Sequence, residues 1–299
     1  MFLAEPPRTA YDLHFRILGF DVRVSPFFWL AAALLGWETM AMLDEAFSAK
    51  HIPAQVLEMT SEERAERLSH DSLIDLALIE SNPGHGMLLL IWIAAVFLSI
   101  LVHELGHSLM MKRYGIDSYI VLYHFGGLAI PESSSSFMGM QQRGDPYQQI
   151  YISAAGPAIQ LALAAAVMLM VAVSGFEVPF QIPYLSEWLQ LDRGQRIASM
   201  PMLALIVAIL VPSIFWALLN LLPVYPLDGG QIARELFTLF GGRDGIRNSL
   251  MLSVFTGGAV AVYGVYSRQM MLAVMFAILA FSSFQILQAY SGRGGYGRW

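Results

Sequence analysis

Apolar residues in this chain gather into six long runs separated by short polar stretches. The runs are Pro26–Leu43, Met87–Met111, Gln149–Val173, Met202–Tyr225, Leu250–Tyr266 and Met270–Tyr290. All but the first and fifth reach the ~20 residues that a bilayer requires of a helix. The first also contains Glu38. Together they predict an all-α polytopic membrane protein with about six transmembrane helices. The stretches between them predict smaller elements. Phe15–Val24 alternates partly around Gly19, which predicts a short N-terminal β-hairpin at the membrane surface, within residues 1–25. Residues 44–86 form an acidic connection. There, Thr60 or Ser61 precedes two glutamates, the chemistry of a helix start, so one or two small helices are expected outside the membrane. Tyr119–Pro131 is apolar but too short to span, and reads as a re-entrant or edge-strand segment. The N-terminal residues lack the pattern of a secretory signal, because the apolar run starts too late. With no repeats or low-complexity tracts, residues 1–299 are expected to form one membrane-embedded domain, with its core at 87–230 and two further spans at 250–290.

Composition agrees. Of the 299 residues, 56% are hydrophobic and 13% charged, about half the charged fraction of a soluble domain. A net charge of -6 without a basic patch argues against nucleic acid as a partner. The lack of cysteine removes disulfides and thiolate ligands, so any metal must rely on His, Asp or Glu. Six spans put both termini on one side. That side holds 11 of the 17 basic residues, the other side 6. Positive charge marks the cytoplasmic face, so both termini are expected there.

The second run contains His103-Glu104-Leu105-Gly106-His107. Positions i and i+4 share a helix face, so both imidazoles can reach one metal ion, with Glu104 beside them to accept a proton from water. On a soluble helix, two surface histidines would compete with that reading. Here, at 1.5 Å per residue, His107 and His103 lie roughly 8 Å and 14 Å inside the boundary marked by Lys112 and Arg113. Polar groups at that depth are expensive unless paired or placed in a wet cavity. A catalytic zinc takes three protein ligands. The third candidate is Asp228, in Asn220-Leu221-Leu222-Pro223-Val224-Tyr225-Pro226-Leu227-Asp228-Gly229-Gly230. The prolines break the helix, and Gly229 and Gly230 permit positive φ that would turn the carboxylate back toward the metal. The alternative makes Asp228 the cap of a short amphipathic helix over Gly229–Phe240.

These two motifs resemble those of the site-2 protease family of intramembrane zinc metalloproteases. Weaker echoes are Ser25-Pro26, Phe125-Gly126-Gly127 and Ala155-Gly156-Pro157. The chain is similar to minimal members of that family, without PDZ-like or CBS-like segments. Two departures stand out: Gln160 where relatives often carry Asn, and Leu221 where they carry Pro. Neither is expected to touch a ligand. The resemblance implies a three-span catalytic core in spans two to four, and hydrolysis of a peptide bond within or beside a transmembrane segment.

The expected site is therefore one Zn2+ per chain on His103, His107 and Asp228, with Glu104 as general base. Asn220 is a candidate oxyanion donor, or else an interhelical amide. Phe125, Gly126, Gly127 and Leu128 are candidates for pairing with an extended substrate by strand addition, the alternative being an interfacial loop. His124 reads either as a contact near the site or as a solvated side chain. The partners expected are a transmembrane protein substrate and the lipid bilayer, in a bacterial inner membrane, with the site toward the cytoplasm. No feature specifies an oligomeric state. Two other functions use the same residues: a membrane zinc carrier, and an idle homologue that binds membrane proteins. A carrier would need several sites along a path, and an idle homologue would have no use for Glu104.

Overall fold

A computed structural model of the chain describes residues 5–48, 50, 52–124, 126–132, 145–180 and 185–293. The elements run β1 (Leu13–Ile17), β2 (Phe20–Val24), α1 (Pro26–Ala46), α2 (Ala54–Leu57), α3 (Ser61–Arg67), α4 (His70–Glu80), α5 (His85–Arg113), β3 (Ser118–Tyr123) and β4 (Gly126–Pro131). They continue with α6 (Pro146–Val173), α7 (Leu185–Trp188), α8 (Met200–Asn220), α9 (Asp228–Gly241), α10 (Gly245–Tyr266) and α11 (Met270–Arg293). Six helices (α1, α5, α6, α8, α10 and α11) are long and apolar enough to cross a membrane. The chain is a multi-pass, mostly helical membrane protein.

The span boundaries differ from expectation at their ends. The first and fifth spans reach 21 and 22 residues, because polar residues flanking each apolar run continue the helix. The fourth is shorter: α8 stops at Asn220 rather than Tyr225. Pro223 has no N–H to donate and disfavours helical backbone at Leu222. The 44–86 connection holds three helices rather than one or two. Of these, α3 opens with a capping box, Thr60 accepting from the Glu63 N–H and Glu63 accepting from the Thr60 N–H. The Met200 N–H donates to Ser81 Oγ at 2.9 Å, which ties the end of α4 to the start of α8.

The hairpin and the 119–131 segment, separate in the sequence, form one four-stranded sheet in the order β1-β2-β3-β4. The hairpin strands are antiparallel, β2 runs parallel to β3, and β3 is antiparallel to β4. The Ser25 N–H donates to the Leu122 carbonyl at 2.9 Å and extends the parallel ladder to the start of α1. Phe20, Val22, Val24, Ile120 and Leu122 are buried in one cluster with residues of α1, α5 and α8. Arg23, on the other face of β2, is buried beneath Asp12 at 2.9 Å and Glu5 at 2.8 Å. Among the described residues β4 is the outer strand, with no strand beyond it.

Small residues let the spans approach each other, which is how helices associate where burial from water no longer drives them. Gly36 of α1 makes room for the Trp92 ring of α5, whose Nε1 donates to the Ala32 carbonyl at 3.1 Å. Gly257 and Gly264 of α10 seat Ala280 and Ala273 of α11.

Candidate metal centre

The helical spacing of the α5 motif puts His103 and His107 on one face, both buried. The glycines of two motifs fit around them. A Cβ at Gly106 would stand 2.6 Å from the Ala155 carbonyl oxygen of α6, so α5 and α6 meet backbone to backbone. A Cβ at Gly156 would stand 2.9 Å from His103 Nε2 and nearer still to the His107 ring. Gly156 thus leaves the space that the two imidazoles face.

The Nε2 atoms of His103 and His107 are 3.0 Å apart. Asp228 completes a triangle, with one carboxylate oxygen 3.1 Å from His103 Nε2 and the other 3.4 Å from His107 Nε2. Ligands of a tetrahedral zinc, at bond lengths of ~2.0–2.2 Å, stand about 3.4 Å apart. The other ring nitrogens are engaged elsewhere. His107 Nδ1 lies 2.7 Å from the Ile152 carbonyl, and His103 Nδ1 lies 2.9 Å from Gln160 Oε1. Both partners are acceptors, so each Nδ1 carries the proton and each Nε2 presents a lone pair. Three electron-rich groups therefore converge, an arrangement that repels itself unless a cation or a shared proton lies among them. This donor set fits a zinc ion.

Asp228 opens α9, and its backbone position is that of a helix start. The N-cap position is Leu227, without a side-chain cap, and the Asp228 carboxylate points at the imidazoles. Gly229 and Gly230 do not take the positive φ expected from the sequence; both lie in the first turn of α9. What they supply is space, since a Cβ on either would collide with the backbone of Leu221 or of Val224 and Tyr225. The irregular segment before Asp228 is held partly by the last two spans. The Tyr225 N–H donates to Ser253 Oγ of α10 at 3.0 Å, and Ser283 of α11 donates to the Tyr225 carbonyl at 3.1 Å. Gln231 donates to the Pro226 carbonyl at 3.3 Å and accepts from Gln149 of α6 at 3.0 Å. Backbone that breaks from helix at membrane depth must find its partners in the protein.

Glu104 is buried beside the triangle and receives the Ala129 backbone N–H of β4. A Cβ at Gly127 would overlap the Glu104 carboxyl. Strand β4 therefore runs directly against the proposed base. Tyr123, at the end of β3, has its phenol pushed up to about 12 by burial and by the nearby Glu104 charge.

The structure thus brings together His103, His107, Asp228, Glu104 and Gly127. Gly126 is buried against Trp216, while Leu128 is half-buried and pairs with Val121. Asn220 is half-buried as the last residue of α8. Phe125 lies outside the described residues. His124 is exposed and meets the Phe27 and Tyr123 rings edge-on. One expectation is corrected. Gln160 does touch a ligand, because its side chain takes the His103 Nδ1 contact. A buried amide within a span was the available clue, since polar groups at that depth have partners. Ser99, Ser213, Ser253 and Ser283 carried no such clue, because serine is common where membrane helices touch.

The chain is similar to several known proteins. A model of Peptidase family M50 matches residues 91–264. A 142-residue segment, 47% of this chain, is 34% identical to "Putative zinc metalloprotease sll0528" of Synechocystis sp., covering 30% of that protein. A 138-residue segment, 46% of this chain, is 30% identical to "Putative zinc metalloprotease Rip3" of Mycobacterium tuberculosis, covering 28% of it. "Zinc metalloprotease MJ0392" of Methanocaldococcus jannaschii is 23% identical over 198 residues, 64% of this chain and 47% of that one. The chain spans less than half the length of these curated relatives. The solved site-2 protease from Methanocaldococcus jannaschii superposes with a TM-score of 0.46 at 18% identity, over 93% of this chain and 95% of that one. The family match covers more than half of the 299 residues and contains both motifs that build the His103–His107–Asp228 cluster, so the chain belongs to Peptidase family M50, the site-2 protease family.

Proposed function

We propose that this protein is an intramembrane zinc endopeptidase, which cuts a membrane-protein substrate within or beside a transmembrane segment. The observation that carries this reading is the triangle of His103, His107 and Asp228 with Glu104 beside it, buried among apolar spans. When bound, zinc supplies Lewis-acid polarisation of water and of the scissile carbonyl. His103, His107 and Asp228 hold it, one ion per chain. Glu104 accepts the proton of the attacking water and returns it to the leaving amine. The Ala129 N–H keeps the Glu104 carboxyl oriented. Asn220, at the end of α8, is assigned to hydrogen-bond the oxygen on which negative charge develops.

A substrate helix has its amides paired and must be opened before attack. The outer edge of β4 offers backbone groups to an extended segment, with Gly126, Gly127 and Leu128 lining the pairing edge. Glu104 lies against the same strand, so a segment paired there is delivered beside the base. The excess of basic residues on the side of the termini supports a site that faces the cytoplasm, and the membrane we assign to it is a bacterial inner membrane.

The test is to measure bound zinc and cleavage of a model transmembrane substrate in detergent, for the wild type and for Glu104→Gln. The expected outcome is about one zinc per chain in both, with cleavage by Glu104→Gln reduced roughly 10²–10⁴-fold. Equal cleavage by both proteins refutes the role of Glu104. A zinc flux across vesicles that survives Glu104→Gln would favour a carrier, and zinc without cleavage in either protein would favour an idle homologue.

A further inference from the structure

Behind His103 a row of polar side chains crosses three spans. Gln160 of α6 accepts at Oε1 from His103 Nδ1 (2.9 Å) and donates from Nε2 to Ser99 Oγ (2.8 Å). Ser99 in turn shares a hydrogen bond with Ser213 of α8 at 3.0 Å. Ser99, Gln160 and Ser213 are fully buried, and His103 nearly so. Ser99 and His103 are one turn apart on α5, so the two ends of a single amide contact two successive rungs of the same helix.

We infer that Gln160 is a positioning residue, which holds His103 with its proton on Nδ1 and its Nε2 lone pair toward Asp228 and His107. This inference rests on the metal reading above. The two ends of an amide are chemically distinct, and here the oxygen faces the imidazole while the NH2 faces Ser99. Were the amide reversed, its NH2 would donate to Nδ1, the imidazole proton would move to Nε2, and an N–H would point at Asp228 in place of a lone pair. In the orientation seen, Ser99 accepts from Gln160 Nε2 and buttresses the amide, and Ser99 and Ser213 share a further hydrogen bond. His107 needs no such device, because its Nδ1 faces the Ile152 backbone carbonyl, which has only lone pairs to offer. The two ligand histidines are therefore oriented differently, one by backbone and one by a side chain that substitution can change. If the row served only to join the helices, its loss would lower stability without changing how the site holds a metal.

The experiment measures zinc affinity by chelator competition, and the visible spectrum of bound cobalt, on the full chain in detergent. Gln160→Leu keeps the bulk but removes the acceptor, and is expected to bind zinc about 10–100-fold more weakly with an altered cobalt spectrum. Gln160→Glu keeps an acceptor toward Nδ1 and is expected to bind zinc at least as tightly as the wild type, since carboxylates commonly hold metal-bound histidines this way. Ser99→Ala is expected to weaken zinc several-fold. Metal-free melting of each variant separates this effect from a loss of packing. Wild-type affinity and spectrum in Gln160→Leu overturn the inference, whatever happens to its melting temperature. Where Gln160→Leu does not fold, the other two variants decide: retained affinity in Gln160→Glu with a loss in Ser99→Ala supports the inference, and any other pattern overturns it. If the wild type itself binds no zinc, the metal reading fails first and this inference with it. If the wild type binds zinc and Gln160→Leu binds it equally well, this inference fails alone.

Discussion

Adding one methyl group at Gly156 tests the ligand geometry without removing any ligand. The new carbon would stand 2.9 Å from His103 Nε2 and closer to the His107 ring, inside the normal contact distance of carbon and nitrogen. Those Nε2 atoms are already 3.0 Å apart and would need to spread by a few tenths of an ångström to reach the ~3.4 Å of a tetrahedral site. The methyl would press on both atoms at once. Helices α5 and α6 already meet backbone to backbone at Gly106, so making room for the methyl means parting two packed helices. Overpacking of one methyl into a close-packed interior costs about 1–3 kcal/mol. If that cost falls on the metal-bound arrangement, zinc affinity drops roughly 5- to 150-fold at 1.4 kcal/mol per tenfold. Chelator competition in detergent measures it, with Gly258→Ala as control, because a Cβ there meets nothing within 4 Å. Unchanged affinity in Gly156→Ala, at one zinc per chain, would refute the assignment of these two Nε2 atoms as ligands.

Gly127→Ala places a methyl where the Glu104 carboxyl sits. Cleavage should fall roughly 5- to 150-fold, by the same overpacking cost, while zinc content stays at the wild-type level; a fall in zinc instead would mean that β4 supports the metal rather than the base. Ser253→Ala and Ser283→Ala each strip a partner from the Tyr225 backbone. Each should destabilise the fold by about 1–3 kcal/mol, read as a lower midpoint of thermal unfolding. Burial alone would raise the Asp12 carboxyl, but hydrogen bonds from Thr9 and Arg23 outweigh it and hold the group below the usual carboxylate range. A depressed carboxyl stabilises the fold fully above its unfolded pKa of about 3.9, and that contribution is lost as pH falls through the lower folded value. Asp12→Asn should therefore be less stable than the wild type at neutral pH, with the difference shrinking below about pH 4. A gap that persists unchanged into acid would show that the Asp12 charge contributes nothing.

The spans and the four central residues were legible because each rests on a strong local rule. Twenty apolar residues have few fates other than a bilayer, and His103 and His107 share a helix face whatever surrounds them. The sheet was legible only in parts. The hairpin follows from alternation around Gly19, but nothing local says that Val22 pairs with Ile120 across two intervening spans. The glycines were legible as special and misread in kind. Gly229 and Gly230 promised unusual backbone angles and instead supply clearance, which depends on a neighbour that no single stretch of sequence reveals. Gln160 was visible as a departure from relatives, but its partner is 57 positions away, and only the crossing of α5 and α6 brings the two together.

The two serine contacts on Tyr225 bear on how the protein is made. Ser253 lies in the fifth span and Ser283 in the sixth, whereas every residue of the proposed centre lies before them in the chain. Synthesis runs from the N-terminus, so the segment that carries Asp228 emerges while its last hydrogen-bond partner is still untranslated. Until α11 has inserted, the Tyr225 carbonyl lacks the bond that settles it at membrane depth. The backbone that leads into the proposed centre thus gains its last bond only when the sixth span is in place.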